Sequence, residues 1–417
     1  MPCPVLYFQI HQPHRLRRYS AFDQGGPYFD DAKNAEIVRK VADKCYRPAT
    51  QVLLDLARRH EGRFRVAFSI SGTALEQLEA HAPDVVGHIR ELVRMGACEL
   101  LAETYHHSLS FLHSRAEFDE QVAMHTRTVE QVFGVTPVVF RNTELIYSDE
   151  VARHVGAMTD ASGNLRFRGV LCEGVERLLG DRAPGEVYLP PGGIAGRDGR
   201  PMGLLLKNHR LSDDVAFRFG DRQWKDWPLT PEKFAGWMAA SPGRVVNLFM
   251  DYETFGEHQW ADTGIFQFLW NLPEAVFALD KDAAFLSPEQ ALVRFGGDAR
   301  GPVYAAPEYT SWADRERDLS AWAGNAMQKD AAAAVYALET AVKARAGTGG
   351  GEDETEESQK LLADWRRLTT SDHFYYMSVK GGSEGEVHAY FRPYESPYDA
   401  YMTFMNVVGD VRTRCGA

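Results

Sequence analysis

The chain has few cysteines and no apolar run long enough to cross a membrane. The odd number of cysteines and the lack of a C-x-x-C pair argue against a disulfide framework and against a zinc–cysteine site. The five thiols stand at Cys3, Cys45, Cys98, Cys172 and Cys415. The first residues run straight into a strand pattern, without the basic and apolar segments of a secretory signal. We therefore expect a cytoplasmic protein whose cysteines are reduced.

The chain also has fewer basic than acidic residues. The 46 basic residues are outnumbered by 58 acidic ones, which leaves a net charge of −12 at pH 7. Such a chain repels phosphate backbones and anionic lipids, so the composition argues against nucleic acid or a membrane surface as a partner. Aromatic residues make up 12% of the sequence, and their rings suit stacking on sugars or bases. A neutral ligand fits this composition best.

The rest of the composition is that of a folded protein, with 44% apolar and 25% charged residues in a chain of 417. Over the first two-thirds, short apolar runs alternate with segments of helical spacing, which predicts β-α units and a mostly parallel sheet. Seven strands are predicted, at 4–10, 64–70, 97–103, 136–141, 168–172, 203–207 and 245–250. Helices are predicted at about 33–60, 74–95, 115–133, 148–157 and 231–240.

The pattern changes to helices after about residue 310. An Ala-rich helix is predicted over 314–344, and further helices are predicted later in the chain at 357–369 and 397–413. The Gly-rich acidic stretch between the first two of these helices is typical of an exposed loop. We therefore divide the chain into an α/β domain, residues 1–309, and a C-terminal helical domain, residues 310–417.

Polar residues cluster at the carboxyl ends of the predicted strands. Barrel enzymes built from parallel strands place their active sites at that edge. The set comprises His11, Glu99, Glu103, Glu144, Lys207, His209, Asp251 and Glu253. Asp213 follows the sixth strand, and Asp372 lies in Ser371-Asp372-His373 near the end of the chain. Any one of these side chains can be a solvated loop residue, so it is the set that predicts a site.

Two segments carry acids in a pattern suited to catalysis. Asp251 and Glu253 end the seventh strand, and side chains two apart in a strand share a face. Glu144 follows the fourth strand, just before Ser148, which is placed to cap a helix. Carboxylates at these two strand ends supply the pair that glycoside hydrolysis needs, one as nucleophile or base and the other as proton donor. The alternative interpretation of each segment is a solvated loop.

Five segments, in chain order, resemble the five sequence regions of glycoside hydrolase family 57. They are His11-Gln12-Pro13, Gly96-Ala97-Cys98-Glu99, Phe140-Arg141-Asn142-Thr143-Glu144, Asp251-Tyr252-Glu253-Thr254-Phe255-Gly256-Glu257-His258 and Ser371-Asp372-His373. The resemblance spans residues 1 to about 376. It implies an incomplete seven-stranded (β/α) barrel followed by a helical domain that packs over the barrel mouth, in agreement with the strand count.

The same resemblance implies a retaining α-glucan hydrolase. Glu144 matches the nucleophile position and Asp251 the general acid/base position. The positions that line the sugar site are matched by His11, Glu99, Glu253, His258 and Asp372, with Trp260 as a candidate stacking ring. The third region carries Phe140 or Arg141 where the family often has Trp, a version that resembles the α-amylase-like branch. No metal and no cofactor are expected.

Residue types add two further candidates for the sugar site, and four aromatic residues are left open. His209 and Asp213 follow the sixth strand and offer the fixed donors and acceptors that hydroxyl-rich sugars require. The adjacent His106 and His107 either bind a sugar hydroxyl or pack under a loop. Aromatic residues of the helical domain are either core or sugar contacts, namely Trp312, Trp322, Tyr375 and Tyr376.

Three alternative functions remain open at this point. A 4-α-glucanotransferase or branching enzyme would keep the same two carboxylates and pass the sugar to another sugar instead of water. A metal-dependent polysaccharide deacetylase would need an Asp and two His on one metal ion, and adjacent histidines such as His106 and His107 point to opposite sides of a strand. A non-catalytic carbohydrate-binding relative is disfavoured because both carboxylates are present.

Overall fold

A computed structural model describes residues 1–347 and 355–417, so most of the predicted Gly-rich loop lies outside the described residues. The described chain forms seven strands in two parallel sheets, ordered β3-β2-β1-β7 and β4-β5-β6. Their bounds are β1 Cys3–Ile10, β2 Val66–Ile70, β3 Cys98–Leu100, β4 Val139–Arg141, β5 Gly169–Glu173, β6 Gly203–Lys207 and β7 Val245–Asp251. All seven predicted strands are therefore present, although the third and fourth are shorter than predicted.

Backbone hydrogen bonds at two seams link the sheets into an incomplete ring. Across the first seam, Ala102 donates to the carbonyl of Val139 at 2.9 Å, and Arg141 donates to the carbonyl of Ala102 at 2.8 Å. Across the second, Asn208 donates to the carbonyl of Asn247 at 2.8 Å. The strands thus follow one another around the ring in chain order, which confirms the expected incomplete (β/α)7 barrel.

Helices follow most of the strands and continue to the end of the chain. The first group is α1 Asp31–Val41, α2 Arg47–Arg59, α3 Gly72–His81, α4 Pro83–Arg94, α5 Ser110–His113, α6 Arg115–Phe133, α7 Asp149–Gly156, α8 Glu176–Leu179, α9 His209–Ala216, α10 Pro231–Ala240, α11 Ile265–Leu279 and α12 Pro288–Phe295. The second group is α13 Ser320–Ala323, α14 Ala326–Tyr336, α15 Glu339–Arg345, α16 Glu356–Leu368, α17 Ser371–Tyr375, α18 Gly382–Phe391 and α19 Pro397–Cys415. Short 3-10 turns lie at Thr143–Leu145, Tyr252–Thr254 and Ala261–Thr263.

The long helices predicted from periodicity are interrupted. The segment predicted as one helix over 33–60 contains a π-helical turn at Ala42–Tyr46 between α1 and α2. The segment 74–95 is two helices, because Ala82 leaves helical geometry with φ −151° just before Pro83. The single helix predicted over 314–344 is wrong: Asp314 and Arg317 have left-handed φ angles of 53°, and helical structure begins only at α13.

The amino end of the barrel is closed by α12. Leu286, just before this helix, forms a parallel bridge with Val5 of β1, and Leu292 enters the barrel core. The side chain of Leu292 occupies space that a Cβ at Gly169 would need, since that atom would lie 2.5 Å from Leu292 Cδ1 and 2.7 Å from the carbonyl oxygen of Gly203. Glycine at this position therefore lets helix and sheet approach closely.

The opposite, carboxyl end of the barrel is covered by the helical part of the chain. Thr370 and Ser371 reach the backbone after β3, where Thr370 Oγ1 donates to the carbonyl of His106 at 2.9 Å and Ser371 N donates to the carbonyl of His107 at 2.9 Å. The core of the helical part also includes apolar residues of the β1–α1 loop, namely Leu16, Tyr19, Tyr28 and Phe29. The division of domains at residues 309 and 310 stays a prediction.

Among the described residues, none of the helices combines the length and apolar character that a membrane span requires.

Candidate active site

Glu144 lies on the 3-10 turn that follows β4, and three donors surround its carboxylate. His107 Nε2 is 3.3 Å from Oε1, Ser371 Oγ donates to Oε1 at 3.1 Å, and Trp312 Nε1 donates to Oε2 at 2.7 Å. The backbone of Glu144 is left-handed, with φ 58°, a conformation that costs a non-glycine residue free energy and occurs often at functional sites. The fold therefore holds this carboxylate in one orientation, with 19% of the side chain exposed.

The surroundings keep Glu144 ionised. Burial on its own raises the pKa of a carboxyl group, but the hydrogen bond and charge of His107, together with the charge of Arg141, outweigh burial and lower the pKa of Glu144. Arg141 is fully buried, and its guanidinium lies over the ring of Trp312 at 4.9 Å. An ionised, oriented carboxylate at a strand end is the form that a nucleophile requires.

Asp251 ends β7 and has the opposite electrostatics. Its register partner on β1 is Gln9, two residues before His11, so it lies near the carboxyl edge of the sheet. Burial, followed by the negative charge of Glu144, raises the pKa of Asp251 to about 6, against the weaker opposing charges of Arg141 and Lys207. Asp251 therefore keeps its proton in mildly acidic solution while Glu144 does not, which is the difference that an acid and a nucleophile need.

His107 lies between two carboxylates. Its Nδ1 is 2.8 Å from Oε2 of the fully buried Glu103, and its Nε2 faces Glu144. Burial lowers the pKa of a histidine, but the hydrogen bonds to both acids outweigh burial and raise the pKa of His107 to about 9. His107 is therefore a cation at neutral pH.

His11 stacks face to face on His107 and links the barrel to the helical part. The two ring centroids are 4.1 Å apart, with 21° between the planes. His11 Nδ1 is 2.6 Å from Ser71 Oγ, and His11 Nε2 is 2.9 Å from Asp372 Oδ2. Burial and the charge of His107 lower the pKa of His11, whereas the histidine partner lowers the pKa of Asp372 despite its burial. The structure thus brings His11, Asp372 and Glu144 together around His107.

Glu253 lies beside Asp251 but faces a different set of partners. Tyr46 Oη and Gln12 Nε2 both donate to its Oε1, the latter at 3.2 Å. Burial and the nearby charge of Asp251 raise the pKa of Glu253 to about 8, so this carboxyl group is protonated at neutral pH. It can therefore donate as well as accept a hydrogen bond.

A second cluster of charged side chains follows β5 and β6. It consists of Glu173, Lys207, Asp213 and Arg317. Lys207 Nζ is 3.2 Å from Asp213 Oδ1 and 3.7 Å from Glu173 Oε2, and it lies 5.4 Å from the centroid of the Trp312 ring. Arg317 binds the remaining Asp213 oxygen at 3.0 Å and Glu173 at 3.1 Å. Both oxygens of Asp213 therefore already have cationic partners, which makes Asp213 an anchor for Lys207 and Arg317.

Other predicted sugar ligands lie at different distances from this centre. His209 lies beside the second cluster of charged side chains, with Nδ1 4.0 Å from Glu173 Oε1. Glu99 lies deeper in the barrel: it is level with Tyr7 in the strand register and accepts a hydrogen bond from the backbone of Glu289 in the first turn of α12. The structure therefore does not bring Glu99 together with Glu144 and Asp251.

The two remaining predicted sugar ligands, His258 and Trp260, lie in the loop after Asp251. His258 contacts the ring of Phe391 in α18, with centroids 5.6 Å apart, and burial lowers the pKa of His258 to about 4. Trp260 is 60% exposed, with Lys44 Nζ 5.3 Å from its ring centroid. Stacking of this exposed ring on a sugar stays a prediction.

The aromatic residues left open by the sequence divide between site and core. Trp312 belongs to the site because it donates to Glu144. Trp322 is buried in the core of the helical part, and Tyr376 is buried there with its hydroxyl 3.5 Å from Asp372. Tyr375 is partly buried and stacks on His388 with ring centroids 3.9 Å apart.

Sequence reasoning left Trp312 open and named Ser371 within the fifth region, but it did not predict that both contact Glu144. Trp312 and Ser371 are 168 and 227 positions from Glu144 along the chain, so no local pattern signals their contact with it. Glu173 and Arg317 were also missed. His107 could have been found from the sequence, because it comes four residues after Glu103 and both follow the same predicted strand.

Comparison with known proteins identifies relatives that match most of the chain. The sequence pattern described as "Glycosyl hydrolase family 57" matches residues 5–302. The "Putative alpha-amylase" of Methanocaldococcus jannaschii is 39% identical over 410 residues, which covers 97% of this chain and 82% of the relative.

Solved structures share the fold at low sequence identity. A GH57 branching enzyme from Thermococcus kodakaraensis is 13% identical with a TM-score of 0.65, covering 94% of this chain and 87% of that one. The alpha-amylase AmyC from Thermotoga maritima is 11% identical with a TM-score of 0.58, covering 93% and 92%. With the family pattern over most of its length and a relative of this similarity over nearly all of it, the chain belongs to glycosyl hydrolase family 57 and is a glycosidase.

Proposed function

We propose that the protein hydrolyses α-glucans with retention of anomeric configuration, with Glu144 as nucleophile and Asp251 as general acid and base. The observation that carries this proposal is the electrostatic contrast between the two groups. His107 and Arg141 lower the pKa of Glu144, whereas burial and the charge of Glu144 raise the pKa of Asp251 to about 6. Glycoside hydrolysis by double displacement needs this division of roles.

In the first step, a carboxylate oxygen of Glu144 attacks the anomeric carbon of the bound sugar. The bond from that carbon to the leaving oxygen breaks, and the leaving oxygen takes the proton of Asp251. The products of this step are a sugar with a free hydroxyl group, a glycosyl ester on Glu144 and an ionised Asp251.

In the second step, Asp251 accepts a proton from a water molecule as the water oxygen attacks the same carbon. The ester bond breaks, Glu144 regains its charge, and Asp251 regains its proton. Two displacements at one carbon restore the original configuration, so an α-glucan yields an α-product.

The α-glucan substrate is supported by the names of the relatives and by the cleft. The Methanocaldococcus relative is named an alpha-amylase, as is AmyC, whose fold this chain shares. Glu253 and Asp372 offer carboxyl oxygens for sugar hydroxyls, His11 orients Asp372, and Trp260 offers an exposed ring. Acids and aromatic rings in one cleft suit a neutral, hydroxyl-rich chain.

The geometry argues against the deacetylase alternative. Such an enzyme would need two histidines and an acid with free nitrogen and oxygen atoms directed at one metal ion. Both ring nitrogens of His11 already face protein partners, Ser71 and Asp372, and its ring stacks on the positively charged His107. A cation at that position would also repel a metal ion.

The proposal is tested with maltooligosaccharides, starch, glycogen and pullulan as substrates, with products separated by size and their anomeric form read by NMR. We expect shorter α-products from the wild type and a loss of activity by several orders of magnitude in Glu144→Ala, with folding retained. The control is Glu150→Ala, an exposed acid on α7. Products longer than the substrate would indicate transfer to sugar, and β-products or an active Glu144→Ala variant would contradict the mechanism.

A cytoplasmic location and the division into domains at residues 309 and 310 complete the proposal. All five cysteines are free, and four of them are buried, as in a protein that folds where thiols stay reduced. Fractionation of cells that produce the protein, and limited proteolysis near residue 310, test these two points.

A further inference from the structure

A second buried acid, Glu103, contacts the proposed nucleophile through His107. This residue follows β3 and is fully buried, with Oε1 accepting from Gln9 Nε2 at 3.1 Å and Oε2 facing His107 Nδ1 at 2.8 Å. The other nitrogen of His107 faces Glu144. The three side chains therefore form a line from the barrel interior to the cleft.

We propose that Glu103 is a positioning residue that holds His107 as an imidazolium, with its Nε2–H directed at Glu144, and so sets how readily Glu144 ionises and leaves the sugar. The inference rests on the proposed role of Glu144 as nucleophile.

Hydrogen-bond chemistry supports the imidazolium form. Both nitrogens of His107 face carboxylate oxygens, which only accept when ionised, and only a doubly protonated ring donates from both nitrogens. A neutral ring carries only one of these two protons, so it would turn a lone pair either from Nε2 toward the Glu144 carboxylate or from Nδ1 toward the Glu103 carboxylate. Each neutral form therefore leaves one carboxylate without its donor, which favours the cation.

The backbone supports the same interpretation. His107 has a left-handed φ of 49° and Glu144 has one of 58°, so both members of the pair are held in a conformation that costs free energy. His107 N also donates to the carbonyl of Thr104 at 3.0 Å, which fixes the turn. A turn built in this way orients the ring between the two acids.

The titratable and charged groups around His107 come from several elements. They are Glu103 after β3, His125 of α6, Arg141 and Glu144 at β4, His11 after β1, Asp251 of β7 and Asp372 of α17. Arg141 alone cannot replace His107 at Glu144, because its Nη1 is directed to His107 and Glu103 and its Nε and Nη2 have no hydrogen-bond partner among the described residues. Loss of the charge on Glu103 therefore acts on Glu144 through His107.

The consequence for catalysis follows from the pKa of the carboxyl group that leaves. A cationic donor lowers the pKa of Glu144, which keeps it ionised for attack and makes it a better leaving group when water displaces the glycosyl ester. In Glu103→Gln the amide oxygen still accepts from His107, but the charge that holds the second proton is gone. His107 then becomes neutral near pH 6.5, and the pKa of Glu144 rises.

The first readout does not depend on turnover. We follow the ring nitrogens of His107 by NMR as pH rises, with the signal assigned by its loss in His107→Gln. The wild type should stay doubly protonated through neutral pH, since the pKa of His107 is raised to about 9, and Glu103→Gln should lose the second proton near or below pH 6.5. A wild-type His107 that titrates like an ordinary histidine overturns the inference.

The second readout is the pH profile of glycoside cleavage. In Glu103→Gln the acidic limb of kcat/KM should move up by about one pH unit, and kcat should fall about ten- to a hundredfold, the effect of losing one charge-assisted hydrogen bond. KM should fall with kcat because the glycosyl ester accumulates. Glu103→Asp, which keeps the charge, should recover most of the wild-type profile.

The matched control is Glu117→Gln, which removes a carboxylate that is equally buried but binds Lys343 and Arg366 away from the cleft. It should lower the melting temperature and reduce the rate by the same factor at every pH, so that both limbs of the pH profile keep their wild-type positions. A wild-type profile in Glu103→Gln would overturn the inference. If His107 titrates as expected but the wild type cleaves no α-glucan, the proposed function fails while the pairing of Glu103 and His107 stands.

Discussion

At the scale of single residues, the two carboxyl groups of the cleft predict the pH dependence of the enzyme. Asp251 must be protonated to act as an acid, and its pKa is raised to about 6, so kcat/KM should fall as pH rises through about 6. The pKa of Glu144 is lowered, so on the acidic side activity should be lost only below the ordinary range of a glutamate. Initial rates on a maltooligosaccharide, measured from about pH 3 to about pH 9, check both limbs of the profile.

Removal of the acid should abolish the limb near pH 6. Asp251→Asn is expected to lower kcat/KM by about 10²- to 10⁴-fold, the usual contribution of a general acid, with less loss on aryl glycosides whose leaving group needs no proton. Asp262→Asn, at an exposed acid of the same loop, is the control. Equal losses on natural and activated substrates would contradict the role of Asp251.

The hydrogen bond from Trp312 to Glu144 predicts a second effect. Trp312→Phe keeps a ring in place but removes the Nε1 donor at 2.7 Å, so the pKa of Glu144 should rise and kcat/KM should fall about tenfold. Trp322→Phe is the matched control, because the Nε1 of that buried tryptophan has no hydrogen-bond partner among the described residues. Similar activity in the two variants would show that the ring of Trp312, and not its N–H, is what matters.

Residue identity at the two carboxyl groups was predictable from the sequence, but their environment was not. Glu144 and Asp251 stand out because each follows an apolar strand run, which is a local pattern. Their donors come from His107, Trp312 and Ser371, and contacts over such separations depend on how the whole chain folds. The pKa values therefore could not be read from the sequence.

At the scale of elements, the approach of α12 to the barrel predicts a sensitive position. Gly169→Ala places a Cβ 2.5 Å from Leu292 Cδ1 and 2.7 Å from a backbone oxygen, so the free energy of unfolding should fall by about 1–3 kcal/mol. Gly236→Ala, inside α10 with no atom within 4 Å of the new Cβ, should instead stabilise by about 0.5–1 kcal/mol. Chemical denaturation measures both, and a neutral Gly169→Ala would contradict the close approach.

The elements also show where periodicity misleads. Strand positions were predicted well because buried parallel strands are short apolar runs bounded by polar residues. Helix continuity was not, since Ala82 before Pro83 and the left-handed Asp314 and Arg317 break segments whose apolar spacing continues across the interruption. The segment from Trp312, which contacts Glu144, to the start of α13 is therefore a loop and not part of a long helix.

At the scale of the whole molecule, buried ion pairs attach the helical part to the barrel. Glu117 of α6 is fully buried and binds Arg366 Nε at 2.9 Å and Lys343 Nζ at 2.7 Å. Glu117→Ala removes the buried partner of two cations and should lower the free energy of unfolding by about 3 kcal/mol. It should also reduce activity, because the helical part supplies Ser371 and Asp372 to the cleft.

The control for this prediction is Glu120→Ala. Glu120 contacts the same two cations, but 45% of its side chain is exposed, so its loss should cost less than about 1 kcal/mol. Thermal unfolding and kcat/KM are measured on both variants. Equal stability losses would mean that burial does not distinguish the two pairs.

The sequence by itself determined the seven strands, the placement of acids at their carboxyl ends and the family, because these depend on local runs of residues and their order. Only the tertiary structure decided that Glu99 lies deep in the barrel beside α12, that Asp213 is occupied by two cations, and that Glu103 and His107 stand behind Glu144. These facts depend on burial and on contacts between distant segments, and a carboxyl group takes its pKa from the charges and donors that folding brings to it.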